Sequence, residues 1–195
     1  LNSFKDISKI NENQYKQTIQ MILKQVDDIS HLIDEFSSFA RMPSPNLQKL
    51  NISVFLKDYI ILAKDSYPQV SFSININKIS KVFIMADEKQ LRQVLGNIIK
   101  NSYENFLEYN IKAPKIDILL IKNSKHIQLQ IKDNGSGIKK KNIDNLMEPY
   151  FSTKRNGSGL GLSISKKIVE DHDGFIFLNS IISKGTEVLI RFPII

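Results

Sequence analysis

The 195-residue sequence contains no cysteine, which excludes a disulfide framework, a thiolate zinc site and a cysteine nucleophile. It also has no apolar run near the roughly 18 residues that a membrane-spanning helix needs. Its polar first residues, LNSFKDISKINENQ, lack the apolar segment of a secretory signal peptide. We therefore expect a cytoplasmic chain. Because it begins with Leu1 rather than methionine, we also expect a segment of a longer protein.

The sequence has no excess of acidic residues: 27 basic against 20 acidic residues give a net charge of +7. The basic residues are scattered, and their longest run is Lys139–Lys141. A solvated basic surface explains this distribution, and there is no platform of aromatic and basic residues for a nucleic acid. We therefore predict no nucleic-acid partner. With 42% hydrophobic and 24% charged residues, the composition predicts a globular fold.

The first predicted element is a long helix from about Glu12 to Ala40. Apolar residues recur there at alternating spacings of three and four, the heptad pattern of helices that pack side by side. This seam consists of Ile19, Ile22, Val26, Ile29, Ile33, Phe36 and Ala40. The pattern favours a helical bundle or dimer, with packing onto the chain's own core as the alternative. The prolines of Met42–Pro45 end the helix, so we predict a partial helical dimerisation region at 1–45 and a second domain at 46–195.

The second domain alternates apolar helical faces with strand-like patterns. The helical faces lie at Ser53–Lys64, Asp87–Glu108 and Leu160–Asp171. The strand patterns lie at Val70–Ile76, Val82–Met85, Ile116–Ile121, Ile127–Ile131, Phe175–Ile181 and Glu187–Phe192. Together they predict an α+β fold, a two-layer sandwich with helices on one face of a mixed sheet.

Two glycine-rich motifs carry candidate binding chemistry. Asp133–Gly137, DNGSG, ends a predicted strand. Its carboxylate can accept a hydrogen bond from the amine of a nucleotide base, although a simple turn explains the motif equally well. Gly157–Leu162, GSGLGL, opens a predicted helix, where free backbone N–H groups and the helix dipole favour a phosphate. Lys154 and Arg155 precede this loop and can reach phosphate oxygens.

An asparagine pair and an aromatic loop are less specific signals. Asn97 and Asn101 lie one turn apart on the Asp87–Glu108 helix and can offer amide oxygens to a hard cation. Taken alone, surface or capping amides explain this pair better. The stretch Glu148–Lys154, EPYFSTK, places two aromatic residues in a polar loop. They either anchor the loop on the core or form the latch of a lid that moves when a nucleotide binds.

In this order, the motifs resemble those of the ATP-binding domain of sensor histidine kinases. They match its asparagine box, its two glycine boxes, its phenylalanine box and its terminal Gly185-Thr186. The resemblance covers about Leu47–Ile195 and implies the two-layer fold that histidine kinases share with Hsp90-like ATPases. The end of the first helix, DEFSSFARMPSP, is similar to the second dimerisation helix of nitrogen-regulation sensor kinases, especially the NtrY-like group.

The resemblance implies a site for ATP and Mg²⁺. The residues implied to hold the adenine are Asp133, Gly135, Gly137 and Thr186. Those implied to hold the phosphates are Lys154, Gly157, Gly159, Leu160 and Gly161. Asn101 would coordinate Mg²⁺ with Asn97 in support, and Phe151 would anchor the lid. The catalytic residues implied are thus Asn97, Asn101 and Lys154.

The same resemblance bears on the reaction. Related ATPases of the gyrase, Hsp90 and MutL type carry a water-activating glutamate four residues before the metal-binding asparagine. Here that position is Asn97, which cannot act as a general base. We therefore expect transfer of the γ-phosphoryl group to a protein histidine, and then to the receiver domain of a response regulator, rather than rapid hydrolysis.

The phosphoacceptor of the family, a histidine followed by an acid, is missing from this sequence. His31, His126 and His172 lack that context, and structural or surface roles explain them better. We expect the segment to bind ATP without phosphorylating itself, and the full protein to form a homodimer anchored at the inner membrane. The alternatives are a nucleotide-sensing pseudokinase, a gyrase-like ATPase and a nucleic-acid binder.

Overall fold

A computed structural model describes residues 12–40, 42–76, 81–154 and 157–195 of the chain. It divides the chain into two compact units, Leu1–Met42 and Pro43–Ile195. The first unit contains helix α1 (Glu12–Ala40). Five side chains of the predicted seam are exposed, by 39% to 58%: Ile19, Ile22, Val26, Ile29 and Ile33. The side chains of Phe36 and Ala40 lie outside the described part.

The second unit contains, within its described residues, four helices and seven strands. The helices are α2 (Ile52–Ser66), α3 (Glu88–Glu108), α4 (Lys140–Ile143) and α5 (Gly161–Asp171). The strands are β1 (Gln48–Asn51), β2 (Ser71–Asn75), β3 (Phe83–Ala86), β4 (Lys115–Lys122), β5 (His126–Asp133), β6 (Phe175–Ile181) and β7 (Gly185–Pro193). All predicted elements of this unit are confirmed with small shifts at their ends, whereas β1 and α4 were not predicted. Among the described residues, no helix is long and apolar enough to span a membrane.

The main sheet has five strands in the order β2-β4-β5-β7-β6. Strand β2 runs parallel to β4 and the other pairs are antiparallel, so the sheet is mixed, as predicted. Alternate residues along the strands are buried, such as Ile127, Leu129 and Ile131 on β5. Side chains of α2 and α3 pack against β5 and β7, which makes a two-layer α+β sandwich. Strands β1 and β3 form a separate antiparallel pair.

Helix α3 begins at a well-formed cap, as its sequence predicts. The Asp87 side chain accepts hydrogen bonds from the backbone N–H groups of Lys89 (2.9 Å) and Gln90 (3.2 Å). Its second oxygen accepts one from the N–H of Asn46 (3.0 Å). Burial raises the pKa of the Asp87 carboxyl, but these backbone hydrogen bonds outweigh it and hold the pKa below its ordinary value.

His172 connects the start of α3 to the end of α5. The Asp87 N–H donates to His172 Nε2 (2.9 Å), and His172 Nδ1 lies 2.7 Å from the carbonyl oxygen of Ile168. Both contacts are satisfied when the ring is neutral and carries its proton on Nδ1. The side chain is buried, which agrees with a structural rather than a catalytic role for this histidine.

Candidate nucleotide-binding site

Asp133 ends β5 with a buried carboxylate that accepts three hydrogen bonds. Oδ1 accepts from the N–H groups of Gly135 (2.8 Å) and Thr186 (3.0 Å), and Oδ2 accepts from the Ser102 hydroxyl (3.0 Å). Burial raises the pKa of this carboxyl above its ordinary value, although the three hydrogen bonds oppose the rise. An ionised carboxylate only accepts hydrogen bonds, so this group can select a donor such as the exocyclic amine of adenine.

Glycines allow the backbone segments around Asp133 to approach closely. Gly185 has a φ of 92°, and a Cβ there would overlap the carbonyl oxygen of Asp133. This approach lets the N–H of Thr186 reach the carboxylate. Gly137 has a φ of 70°, and its Cβ would overlap the carbonyl oxygen of Ile181. Both positions require glycine for the packing of the chain itself, in addition to any ligand role.

Asn105, which sequence reasoning missed, fixes the DNGSG turn to α3. Its Oδ1 accepts from the N–H of Ser136, and its Nδ2 donates to the Ser136 hydroxyl, both at 2.8 Å. A Cβ on Gly135 would overlap Asn105 Oδ1, so a side chain there would displace the amide that holds the turn. The signal that could have found Asn105 is its spacing of four residues from Asn101 and eight from Asn97.

Asn97 connects α3 to the first turn of α5. Its Nδ2 donates to the carbonyl oxygen of Gly161 (2.8 Å) and lies 3.3 Å from the Ser165 hydroxyl. The amide therefore positions the helix that follows the glycine-rich loop. Its support of a metal ion stays a prediction.

Asn101 and Glu104 converge on the ammonium group of Lys154. Lys154 Nζ lies 3.0 Å from Asn101 Oδ1 and 2.5 Å from Glu104 Oε2. Within the described ranges, no three histidine or acidic side chains gather as a metal cluster. The amide and carboxylate oxygens that hold Lys154 are nevertheless the donors that Mg²⁺ prefers, so these residues fit such an ion together with phosphate oxygens.

The glycine-rich loop leads into α5 without a side-chain cap from Leu160. Leu160 is buried, and the N-terminal N–H groups of the helix are suited to a phosphate. Gly159 has a φ of 71°, and a Cβ there would lie 2.5 Å from the Tyr150 carbonyl carbon. Phe151 is half-buried, whereas Tyr150 is 60% exposed.

The remaining residues of this loop are less informative. A Cβ on Gly157, which is exposed, would overlap the Ser152 hydroxyl. The predicted phosphate contact from Arg155 lies outside the described residues.

Residues 86–195 match the family model of histidine kinase-, DNA gyrase B- and HSP90-like ATPases. The chain belongs to this family. It is 33% identical over 168 residues to the nitrogen regulation protein NtrY of Azorhizobium caulinodans, a match that covers 85% of this chain and 22% of that protein. It is 30% identical over 188 residues to an NtrY-like sensor histidine kinase of Rickettsia prowazekii, covering 96% of this chain and 31% of that protein. The predicted resemblance to NtrY-like sensor kinases is thereby confirmed.

Solved structures of histidine kinases share the fold. The crystal structure of histidine kinase ThkA in complex with response regulator protein TrrA matches with a TM-score of 0.72 at 20% identity. That match covers 94% of this chain and 52% of the ThkA chain. The histidine kinase ATPase domain is therefore present, in a chain that spans about a fifth to a third of the two NtrY-type relatives.

Proposed function

We propose that this chain is the catalytic segment of a sensor histidine kinase, which transfers the γ-phosphoryl group of Mg-ATP to a histidine outside the segment. The observation that carries this proposal is the order of contacts along α3. Asn105 holds the turn beside Asp133, Asn101 contacts Lys154, and Asn97 holds the start of α5. The helix thus meets a base-binding group, a cation-binding amide and a phosphate-binding helix terminus in the order that ATP needs.

Different residues of the proposed site bind the adenine, the metal ion and the phosphates. Asp133 accepts the adenine amine, while Gly135, Gly137 and Thr186 form the turn around the base. Mg²⁺, when bound through Asn101, supplies neutralisation of charge on the phosphates. Lys154 and the N–H groups at Gly157, Gly159, Leu160 and Gly161 hold and orient the phosphoryl groups, and Phe151 anchors the lid.

The residue at position 97 favours transfer to a protein over hydrolysis. The position that would carry a water-activating glutamate is Asn97, whose amide is bound to Gly161. Glu104, the nearby acid, lies three residues after Asn101 rather than four residues before it, and pairs with Lys154 at 2.5 Å in the nucleotide-free chain. An amide cannot act as a general base, and phosphoryl transfer needs mainly positioning and charge neutralisation.

The partners of the whole protein belong to this proposal as well. The exposed apolar seam of α1 supports a homodimer or helical bundle for the predicted dimerisation region at 1–45. The receiver domain of a response regulator would take the phosphoryl group from the histidine. As the family resemblance implies, the full protein would be anchored at the inner membrane.

Calorimetric titration with ATP, with and without Mg²⁺, tests the site. We expect binding that Mg²⁺ strengthens, and loss of this strengthening in Asn101→Ala but not in the control Asn75→Ala, which changes an exposed asparagine of β2. Addition of a separate acceptor-helix fragment should produce acid-labile label from γ-labelled ATP. Steady-state release of phosphate would instead favour the gyrase-like ATPase, and binding without any transfer would favour the pseudokinase.

A further inference from the structure

Glu104 places a negative charge beside the phosphate end of the proposed site. Asn101 and Glu104 are three residues apart on α3 and share a face of the helix. Both contact the same group, Lys154 Nζ, at 3.0 Å and 2.5 Å. Any ion that binds Asn101 Oδ1 therefore lies close to the Glu104 carboxylate.

Lys154 is the main counter-ion of Glu104 in the absence of nucleotide. Lys100 Nζ lies 3.9 Å from the other Glu104 oxygen, but its side chain is 63% exposed, so solvent screens this second pairing. The side chain of Lys154 is only 27% exposed. One ammonium group thus neutralises the carboxylate.

The triphosphate of ATP competes for this ammonium group. If Lys154 turns to the phosphates, Glu104 loses its counter-ion and faces a like charge, which is unfavourable at short range. If Lys154 stays on Glu104, the phosphates lose their lysine contact. A divalent cation at Asn101 removes the conflict, because it neutralises the carboxylate and the phosphates together.

We propose that Glu104 is a specificity-determining residue, which makes this site select the metal complex of ATP over metal-free ATP. The proposal rests on the function proposed above, and it assigns Lys154 the role of an internal cation that holds Asn101 and Glu104 until nucleotide binds.

The test compares Glu104→Gln with Glu108→Gln, a matched control that removes the same charge from an exposed position one turn further along α3. Calorimetry gives the ATP dissociation constant in excess EDTA and in excess Mg²⁺. The readout is the constant in EDTA divided by the constant in Mg²⁺, which measures the preference for the metal complex. We expect Glu104→Gln to tighten the binding of metal-free ATP and to lower the ratio on the order of tenfold, as removal of one partly screened charge predicts. Glu108→Gln should have the same ratio as the unchanged chain.

Lys154→Met supplies a second measurement that does not depend on the first variant. It removes the internal cation, so metal-free ATP should bind more weakly and the ratio should rise. The double variant Lys154→Met with Glu104→Gln should have a lower ratio than Lys154→Met alone. The proposal is overturned if Glu104→Gln changes both dissociation constants by one factor, or changes the ratio no more than Glu108→Gln. If the unchanged chain binds ATP under neither condition, the proposed function itself is wrong.

Discussion

Replacement of Asp133 separates the structural role of this buried carboxylate from its ligand role. In Asp133→Asn, the remaining carbonyl oxygen can still accept from the N–H groups of Gly135 and Thr186, and the new amide NH₂ can donate to Ser102. We therefore expect the free energy of unfolding to change by less than about 1 kcal/mol. Asp133→Ala leaves both N–H groups without their acceptor and should cost about 2–5 kcal/mol.

The two variants should differ in stability, but both should bind ATP more weakly than the unchanged chain. In the proposed function the adenine amine donates to the charged carboxylate of Asp133, and removal of such a hydrogen bond costs about 1.5–3 kcal/mol. This corresponds to a dissociation constant about 10–150-fold weaker for Mg-ATP. Calorimetry measures the affinity, and urea unfolding of the same samples measures the stability.

The pH dependence of unfolding provides an independent check on Asp133. Because burial raises the pKa of its carboxyl in the folded chain, the folded state binds a proton more tightly than the unfolded state. Its contribution to stability is therefore greatest in acid and falls as the pH rises through the raised pKa. Asp133→Asn should lack this fall. Unchanged ATP affinity in Asp133→Asn, or a loss of stability equal to that of Asp133→Ala, would refute the reasoning.

Three further substitutions test the supports of the site. Asn105→Ala removes both hydrogen bonds to Ser136, and we expect about 1–3 kcal/mol lower stability in urea together with weaker ATP binding by calorimetry. Asp87→Ala removes a helix cap whose carboxyl has a lowered pKa, so it should cost about 1 kcal/mol at neutral pH and progressively less as acid protonates the native Asp87 in unfolding titrations. Gly159→Ala should weaken ATP binding by calorimetry and lower the thermal unfolding temperature, because a Cβ cannot fit at a φ of 71° against the Tyr150 backbone without displacing the loop.

Most secondary structure could be predicted because burial imposes clear periods on the sequence. Helix α3 carries buried apolar residues on one face and follows the N-cap Asp87, so the sequence predicts both its face and its start. Strand β1 was missed because QKLN has a single apolar residue, and it forms through pairing with β3, from Gln48 opposite Ala86 to Asn51 opposite Phe83. Helix α4 has only four residues, too few to show a helical period.

The sequence indicated the candidate site motifs, whose ligand roles stay predictions, but it did not show the contacts between them. The resemblance supplied the identity of Asp133 and Asn101, yet a sequence does not show which distant side chain returns to which helix. The Asn97 amide meets Gly161, 64 residues away, and Glu104 meets Lys154, 50 residues away. The role of Asn105 was not predicted either, because an asparagine near a helix end is ordinarily explained as a surface residue.

The convergence of distant motifs on α3 has a physical basis in the rigidity of a helix. Asn97, Asn101 and Asn105 recur every four residues, so the rise of the helix separates neighbouring side chains by about 6 Å along its axis. Each holds a different segment, at Gly161, Lys154 and Ser136. If these residues lay on flexible loops, their spacing would vary, and ordering the loops around a ligand would cost conformational entropy. Helix α3 sets the spacings before binding, and in the proposed function a single extended nucleotide would contact all three segments.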